Sequence, residues 1–263
     1  MTATRTDTTL VLRRDGAAPG ERAVAVEAPV AIEVDGLGYA VMMMTPDALE
    51  AFAIGFMLTE RLADTAADIL AVEPFEAEAG WIVRVALAER CRGRLHDRVR
   101  HRTSDTACGL CGIAGLEQVR RPVVRRAPAP RTTPAALFSA LSDLRGHQPL
   151  NAATGAVHAA AACDPAGAIV AACEDVGRHN ALDKLIGTLA LAARPIDGFL
   201  LVTSRLSFEM VDKALVAGAP LIAGISAPTS MAIDHARAHG LTLVALARAD
   251  AVLVLNDPHA LFG

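Results

Sequence analysis

Residues 169–184 read Ile169-Val170-Ala171-Ala172-Cys173-Glu174-Asp175-Val176-Gly177-Arg178-His179-Asn180-Ala181-Leu182-Asp183-Lys184. A short apolar run breaks into charged residues, and a helical pattern over 178–191 follows at once. A strand that hands over to a helix through a polar turn is the repeating unit of an α/β fold. The unit recurs from about residue 150 onward. Apolar runs at 169–173, 199–202, 221–225, 241–246 and 252–255 alternate with helical patterns at 178–191, 207–217 and 230–239. Such alternation predicts a sheet covered by helices on both faces. Ligands in these sheets bind at the carboxyl ends of strands, where loops enter helices. The charged stretch stands at such a place, and the helix that follows offers free amide hydrogens to an anion. The same residues could instead cap that helix and form salt bridges, so Asp175, Arg178 and His179 are open to both readings.

The amino-terminal part reads differently. Residues 30–34 alternate, Asp35-Gly36 is a hairpin signal, and 37–44 answer as a second strand. Thr45-Pro46 is read as a helix start, with Leu49, Phe52, Ala53, Phe56 and Met57 as the apolar face. Trp81, Val83, Val85 and Leu87 alternate as a further half-buried strand. A proline- and arginine-rich connector spans 121–134, and Thr133-Pro134 then opens another helix. The division expected is a β-rich part over 1–131 and an α/β part over 132–263, the two able to pack as one unit.

Composition narrows the function classes. The chain has 263 residues, 52% of them hydrophobic, which suffices for a sizeable core. Aromatics at 3% and a net charge of -4 argue against a nucleic-acid binder. No apolar run is long enough to span a membrane, and residues 1–14 lack the apolar segment of a signal peptide. A cytoplasmic protein is the expectation. Charge is uneven: residues 84–131 hold twelve arginines against four acids, a local excess of 12 - 4 = +8. This run reads either as a solvated basic face or as a site for a phosphate-bearing ligand.

Inside that basic window lies Cys108-Gly109-Leu110-Cys111-Gly112. Glycines on both sides let the backbone turn and expose the sulfurs, and nearby arginines favour thiolate, the nucleophilic form. In a cytosolic chain such a pair points to persulfide transfer, disulfide exchange or metal binding. The other cysteines are Cys91, Cys163 and Cys173. Zinc deaminase chemistry needs His-x-Glu and Pro-Cys-x-x-Cys. Here His158 is followed by Ala159-Ala160, and Ala107 precedes Cys108. Two cysteines are also half of a structural zinc set, so no metal site is assigned. A lone His158 among alanines reads as a core residue.

Taken together, Cys108-Gly109-Leu110-Cys111-Gly112, the segment Thr154-Gly155-Ala156-Val157-His158 and the charged stretch 174–184 resemble the FdhD family, the formate dehydrogenase accessory sulfurtransferases. Matching segments continue through Gly55-Phe56-Met57-Leu58-Thr59-Glu60, Ser207-Phe208-Glu209-Met210-Val211-Asp212-Lys213-Ala214 and Ser226-Ala227-Pro228-Thr229 to Leu246-Ala247-Arg248. The resemblance implies a cytidine-deaminase-like α/β/α sandwich with a smaller β-rich amino-terminal domain. It implies a sulfur carrier that takes persulfide sulfur from a cysteine desulfurase. That sulfur passes to the molybdenum cofactor, the bis-molybdopterin guanine dinucleotide form, before insertion into formate dehydrogenase. Cys108 matches the persulfide carrier and Cys111 its helper. The family's cofactor-binding segment falls on Leu246, Ala247, Arg248, Ala249, Asp250 and Ala251. Asp175, Arg178, His179 and Arg205 are further candidates for nucleotide contact, and a homodimer is suggested. Departures from the family pattern occur at Ser204, Ala156, Ala249 and Leu255. The competing readings are a non-catalytic cofactor chaperone and a dithiol oxidoreductase.

Overall fold

The computed structural model describes residues 3–96 and 126–263, so Cys108 and Cys111 lie outside the described residues. The chain opens with an antiparallel pair, β1 (Thr4–Arg13) and β2 (Gly16–Ala25), which forms a sheet of its own. Next come β3 (Ala28–Val34), β4 (Leu37–Met44), α1 (Leu49–Thr59), β5 (Ile69–Ala77), β6 (Gly80–Leu87) and α2 (Glu89–His96). Their four strands make a second sheet in the order β4-β3-β6-β5. Alternation along β3 buries Val30, Ile32 and Val34 together with Tyr39, Phe52, Phe56 and Met57, the first hydrophobic core. Residues 35 and 36 form the expected turn, Asp35 with φ 48° and Gly36 with φ 81°.

The expected helix start at Thr45-Pro46 is corrected. The helix begins at Leu49, after Ala48 in the left-handed region with no side-chain cap. Thr45 is engaged elsewhere: its amide donates to Asp175 Oδ2 at 3.1 Å and its hydroxyl accepts from the Val176 amide at 3.4 Å. A buried carboxylate offers this amide a charge-assisted bond, stronger than a neutral helix cap. Thr133, by contrast, caps as read, accepting from the Ala136 amide at 3.1 Å.

The second half holds α3 (Pro134–Asp143), α4 (Pro149–Thr154), β7 (His158–Cys163), β8 (Ile169–Asp175), α5 (Arg178–Leu191), β9 (Phe199–Val202), α6 (Phe208–Val216), β10 (Leu221–Gly224), α7 (Ser230–His239), β11 (Thr242–Ala245) and β12 (Leu253–Asn256). Six strands pair in the order β12-β11-β10-β9-β7-β8. Strands β9, β10 and β11 run parallel, and β7, β8 and β12 are antiparallel to their neighbours. Leu200, Val202, Ile222 and Leu243 face α5, α6 and α7. Phe199, Leu201, Leu221 and Val244 face α3 on the other side. This is the expected α/β/α sandwich, with the smaller β-rich unit against it.

Helices α1 and α5 join the halves at unusually close range. A Cβ on Gly55 would stand 1.8 Å from the Asp183 carbonyl oxygen, and one on Gly187 would stand 1.7 Å from that of Ala51. Glycine is required at both positions for the backbones to touch. No helix among the described residues is long and apolar enough to cross a membrane.

Candidate functional site

Strand direction gathers the polar loops on one edge. Because β7 runs against both β8 and β9, His158 sits opposite Asp175, and Ala160 opposite Val202. The carboxyl ends of β8, β9, β10 and β11 therefore share an edge with the start of β7, where α/β sheets bind ligands. The loops are tied to one another. Ala159 N donates to Thr203 Oγ1 at 2.9 Å, Thr203 N to Ala159 O at 3.0 Å, and Ile225 N to Val202 O at 2.9 Å. Ala247 N donates to Gly224 O at 3.1 Å and Leu246 N to Ser226 O at 3.2 Å.

The charged stretch divides into two groups. The first is structural. Asp175 is fully buried. Its Oδ1 accepts from Gly177 N at 2.7 Å and Asn180 Nδ2 at 3.0 Å, and its Oδ2 lies 2.7 Å from Lys184 Nζ. Lys184 also donates to Thr45 O at 2.9 Å and pairs with Asp47. Asn180 donates to Met43 O at 2.9 Å. Asp183 accepts from Lys213 at 2.8 and 2.9 Å and from Thr59 at 2.7 Å. Burial lowers the affinity of Lys213 for its proton, but Asp183, Glu209 and Glu60 outweigh that and hold its pKa above the ordinary value. Glu174 caps α4, accepting from Leu150 N and Asn151 N, each at 2.8 Å. Asp175, named above as a nucleotide contact, thus lies in the joint between the halves, with both carboxylate oxygens engaged.

The second group faces the edge. Arg178 is half-buried at the first position of α5, and Arg205 is exposed after β9. Both act on His158, whose pKa is pushed down first by burial and then by the fields of Arg178 and Arg205. His158 is therefore neutral near pH 7, beside two guanidiniums. His179 is buried, its Nε2 3.4 Å from Glu209 Oε2. The segment 246–251 forms the next loop. Leu246 has φ 48° and is 43% exposed, an apolar side chain held out on a left-handed turn. Ala247 is buried, whereas Arg248, Ala249, Asp250 and Ala251 are exposed. Arg248 spans its own loop: its guanidinium donates to Ile225 O and, at 3.2 Å, to Ala247 O, and its amide to Ala251 O at 2.8 Å. The edge thus brings together His158, Arg178, Arg205 and the 246–251 loop. Arginines at a strand-to-helix junction suit phosphate oxygens. His158, read alone as a core residue, is half-buried at this edge, paired opposite Asp175 at the start of β7.

The arginine run behaves differently. Among the described residues, Arg84 pairs with Glu33, Arg90 with Asp68, Arg92 with Glu89, and Arg94 with Asp64. Each of these four is thus paired with a neighbouring acid. Asp64, Asp68 and Cys91 bring their ligand atoms within 4.8 Å of one another. The carboxylates there already accept from Arg90, Arg94 and the Thr65 amide, which makes the cluster a folded-state brace. Cys163 is buried, and burial followed by Asp164 pushes its thiol up to about 12. Burial likewise raises Cys173. Neither thiol is a ready nucleophile.

A cavity of about 610 Å³ lies on the opposite edge, lined by Leu58, Arg61, Ile186, Leu189, Arg194 and Val216 among others. It contains none of the charged stretch's acids or arginines. The described flanks of segment 97–125 attach near that edge: Arg94 donates to Arg61 O at 3.3 Å, and Ala127 N to His239 O at 2.9 Å.

Comparison with known proteins agrees with this architecture. Residues 25–262 match the model of the FdhD/NarQ family. The sulfur carrier protein FdhD of Bordetella parapertussis is 44% identical over 236 residues, covering 89% of this chain and 86% of its own length. That of Agrobacterium fabrum is 43% identical over 241 residues, covering 91% and 89%. A crystal structure from Desulfotalea psychrophila, provisionally described as a formate dehydrogenase accessory protein, superposes with a TM-score of 0.76 at 25% identity. It covers 98% of this chain and 99% of its own. The chain belongs to the FdhD/NarQ family.

Proposed function

We propose that this protein is a cytoplasmic sulfur carrier that sulfurates a guanylated molybdenum cofactor destined for formate dehydrogenase. The observation that carries this reading is the edge formed by His158, Arg178, Arg205 and the 246–251 loop, in a chain whose relatives are named sulfur carriers. A dinucleotide cofactor offers phosphates to the two arginines and a guanine edge to backbone groups and Asp250. Leu246 supplies an apolar surface beside them.

The sulfur step falls on Cys108 and Cys111. The Cys108 thiolate attacks the outer sulfur of a desulfurase persulfide. A new sulfur–sulfur bond forms on Cys108, the desulfurase bond breaks, and the desulfurase cysteine leaves as thiolate. Attack by Cys111 on Cys108 Sγ then frees the outer sulfur as sulfide for the cofactor. The pair supplies two electrons, leaving a Cys108–Cys111 disulfide that a cellular thiol reductant reopens. The inert environments of Cys163 and Cys173 and the full burial of Cys91 support this assignment.

Complementation tests the reading. Cells lacking their own FdhD should regain formate dehydrogenase activity with the wild-type chain and stay inactive with Cys108→Ser. Full activity with Cys108→Ser would make the protein a delivery chaperone instead.

A further inference from the structure

The stretch of sequence that carries Cys108 and Cys111 leaves one half of the protein and rejoins the other. On its leading flank is α2, whose Cys91 and Leu95 are buried in the first core. On its trailing flank Ala127 packs against the core beneath α5, α6 and α7. Each flank is tied to the end of a helix. Arg94 donates to Arg61 O at 3.3 Å, just past the end of α1, and Ala127 N to His239 O at 2.9 Å, at the last residue of α7. Carbonyls at helix ends lack an internal partner and are free to accept such bonds.

One carboxylate connects the two helix ends. Asp212, in α6, has a mostly buried side chain, and its Oδ1 accepts from Arg61 Nη2 at 2.8 Å and from His235 Nε2 at 3.1 Å. Burial opposes its charge, but the bonds from His235 and Arg61 outweigh that and hold its pKa below the ordinary value. On one side Arg61 has φ 59°, a left-handed position after a helix that glycine usually fills. The side-chain bond to Asp212 gives an arginine a reason to stand there, and this turn presents the carbonyl that Arg94 uses. On the other side His235 lies one turn before His239. Their ring centroids are 4.6 Å apart, and His239 Nδ1 donates to His235 O at 2.9 Å. Phe208, at the start of α6, packs on the His235 ring with centroids 4.4 Å apart. Arg94, Arg61, Asp212, His235, His239 and Ala127 thus form one chain of contacts from flank to flank.

We propose that Asp212 is a positioning residue for the sulfur step, holding the two ends of the cysteine-bearing segment at a fixed separation. This role rests on the sulfur-carrier reading above. Fixed ends restrict the conformations open to a chain segment and raise the effective concentration of its thiols at a docked persulfide.

Two measurements on the full chain test it: hydrogen exchange at the Ala127 amide, and the rate of sulfur uptake on Cys108 from a cysteine desulfurase. Asp212→Asn should speed exchange at Ala127 at least about tenfold and slow sulfur uptake at least about threefold. Alkylation of Cys108 by iodoacetamide should keep its wild-type rate, because a small reagent needs a thiolate and not a placed one. His235→Phe keeps the ring stack and deletes the donor to Asp212. It should also speed exchange at Ala127, and it decides the matter where Asp212→Asn does not fold. Unchanged exchange at Ala127 overturns the proposal, as do uptake and alkylation slowed alike. A wild type that takes up no sulfur on Cys108 overturns the carrier reading and this role with it. A wild type that loads no faster than Asp212→Asn overturns this role alone.

Discussion

Lys184 lies 2.7 Å from Asp175 with almost none of either side chain reaching solvent. The pair belongs to two halves of the chain at once, since Asp175 also holds the Thr45 amide and Lys184 the Thr45 carbonyl. Removing one partner of a buried pair strands the other. Lys184→Met should therefore cost about 3–5 kcal/mol of stability, measured by denaturant unfolding of the full chain. A loss under about 1 kcal/mol, the scale of an exposed pair, would show that water reaches Asp175.

The contact of α1 with α5 permits no Cβ at position 187. Gly187→Ala should force the helices apart and cost about 3 kcal/mol, with the transition midpoint of thermal unfolding as the readout. Gly93, where an added Cβ meets nothing within 4 Å, is the control, and Gly93→Ala should leave stability level or raised.

The α/β half was legible where strands carry Ile, Leu and Val. Helices read at 178–191 and 230–239 coincide with α5 and α7, because each begins at a polar turn and carries apolar residues at helical spacing. Strand β7 left no such trace. His158-Ala159-Ala160-Ala161-Ala162-Cys163 has no branched residue, yet it is the strand between β8 and β9. Alanine is needed there because helices press on both faces, and that is a property of neighbours, not of the strand. The β1–β2 arm at 4–25 was missed for the converse reason: its threonines and arginines carry little apolar alternation, and the pairing rests on backbone bonds. Within the charged stretch, residue types announced importance without dividing it. Burial decided that Asp175, Asp183 and Lys184 hold the fold while Arg178 faces the edge.

Anion binding at the edge should take up a proton. His158 starts below its ordinary pKa of 6.5 because of burial and two guanidiniums. A phosphate group offsets those positive fields and raises it, so the bound state carries more protons than the free state. Guanosine diphosphate should then bind more tightly as pH falls from about 7.5 to about 5.5, with the gain lost at higher pH where His158 is neutral in both states. Isothermal titration of His158→Gln should show a flatter profile, with its affinity at the alkaline end close to wild type. An unchanged slope would remove His158 from the site.

Thiol reactivity should separate the cysteines. At about pH 8 a brief iodoacetamide pulse should label Cys108 and Cys111 and spare Cys163, whose thiol is pushed up to about 12. Peptide mapping reads this out. Labelling of Cys163 at the same rate would mean that its burial does not hold in solution.

The central claim concerns which sulfur receives the transferred atom. Incubation with a cysteine desulfurase and free cysteine, followed by intact mass and peptide mapping, measures it directly. The account predicts one added sulfur on Cys108 in the wild type and none in Cys108→Ser. An added sulfur on Cys91, Cys163 or Cys173, or one retained in Cys108→Ser, would contradict it.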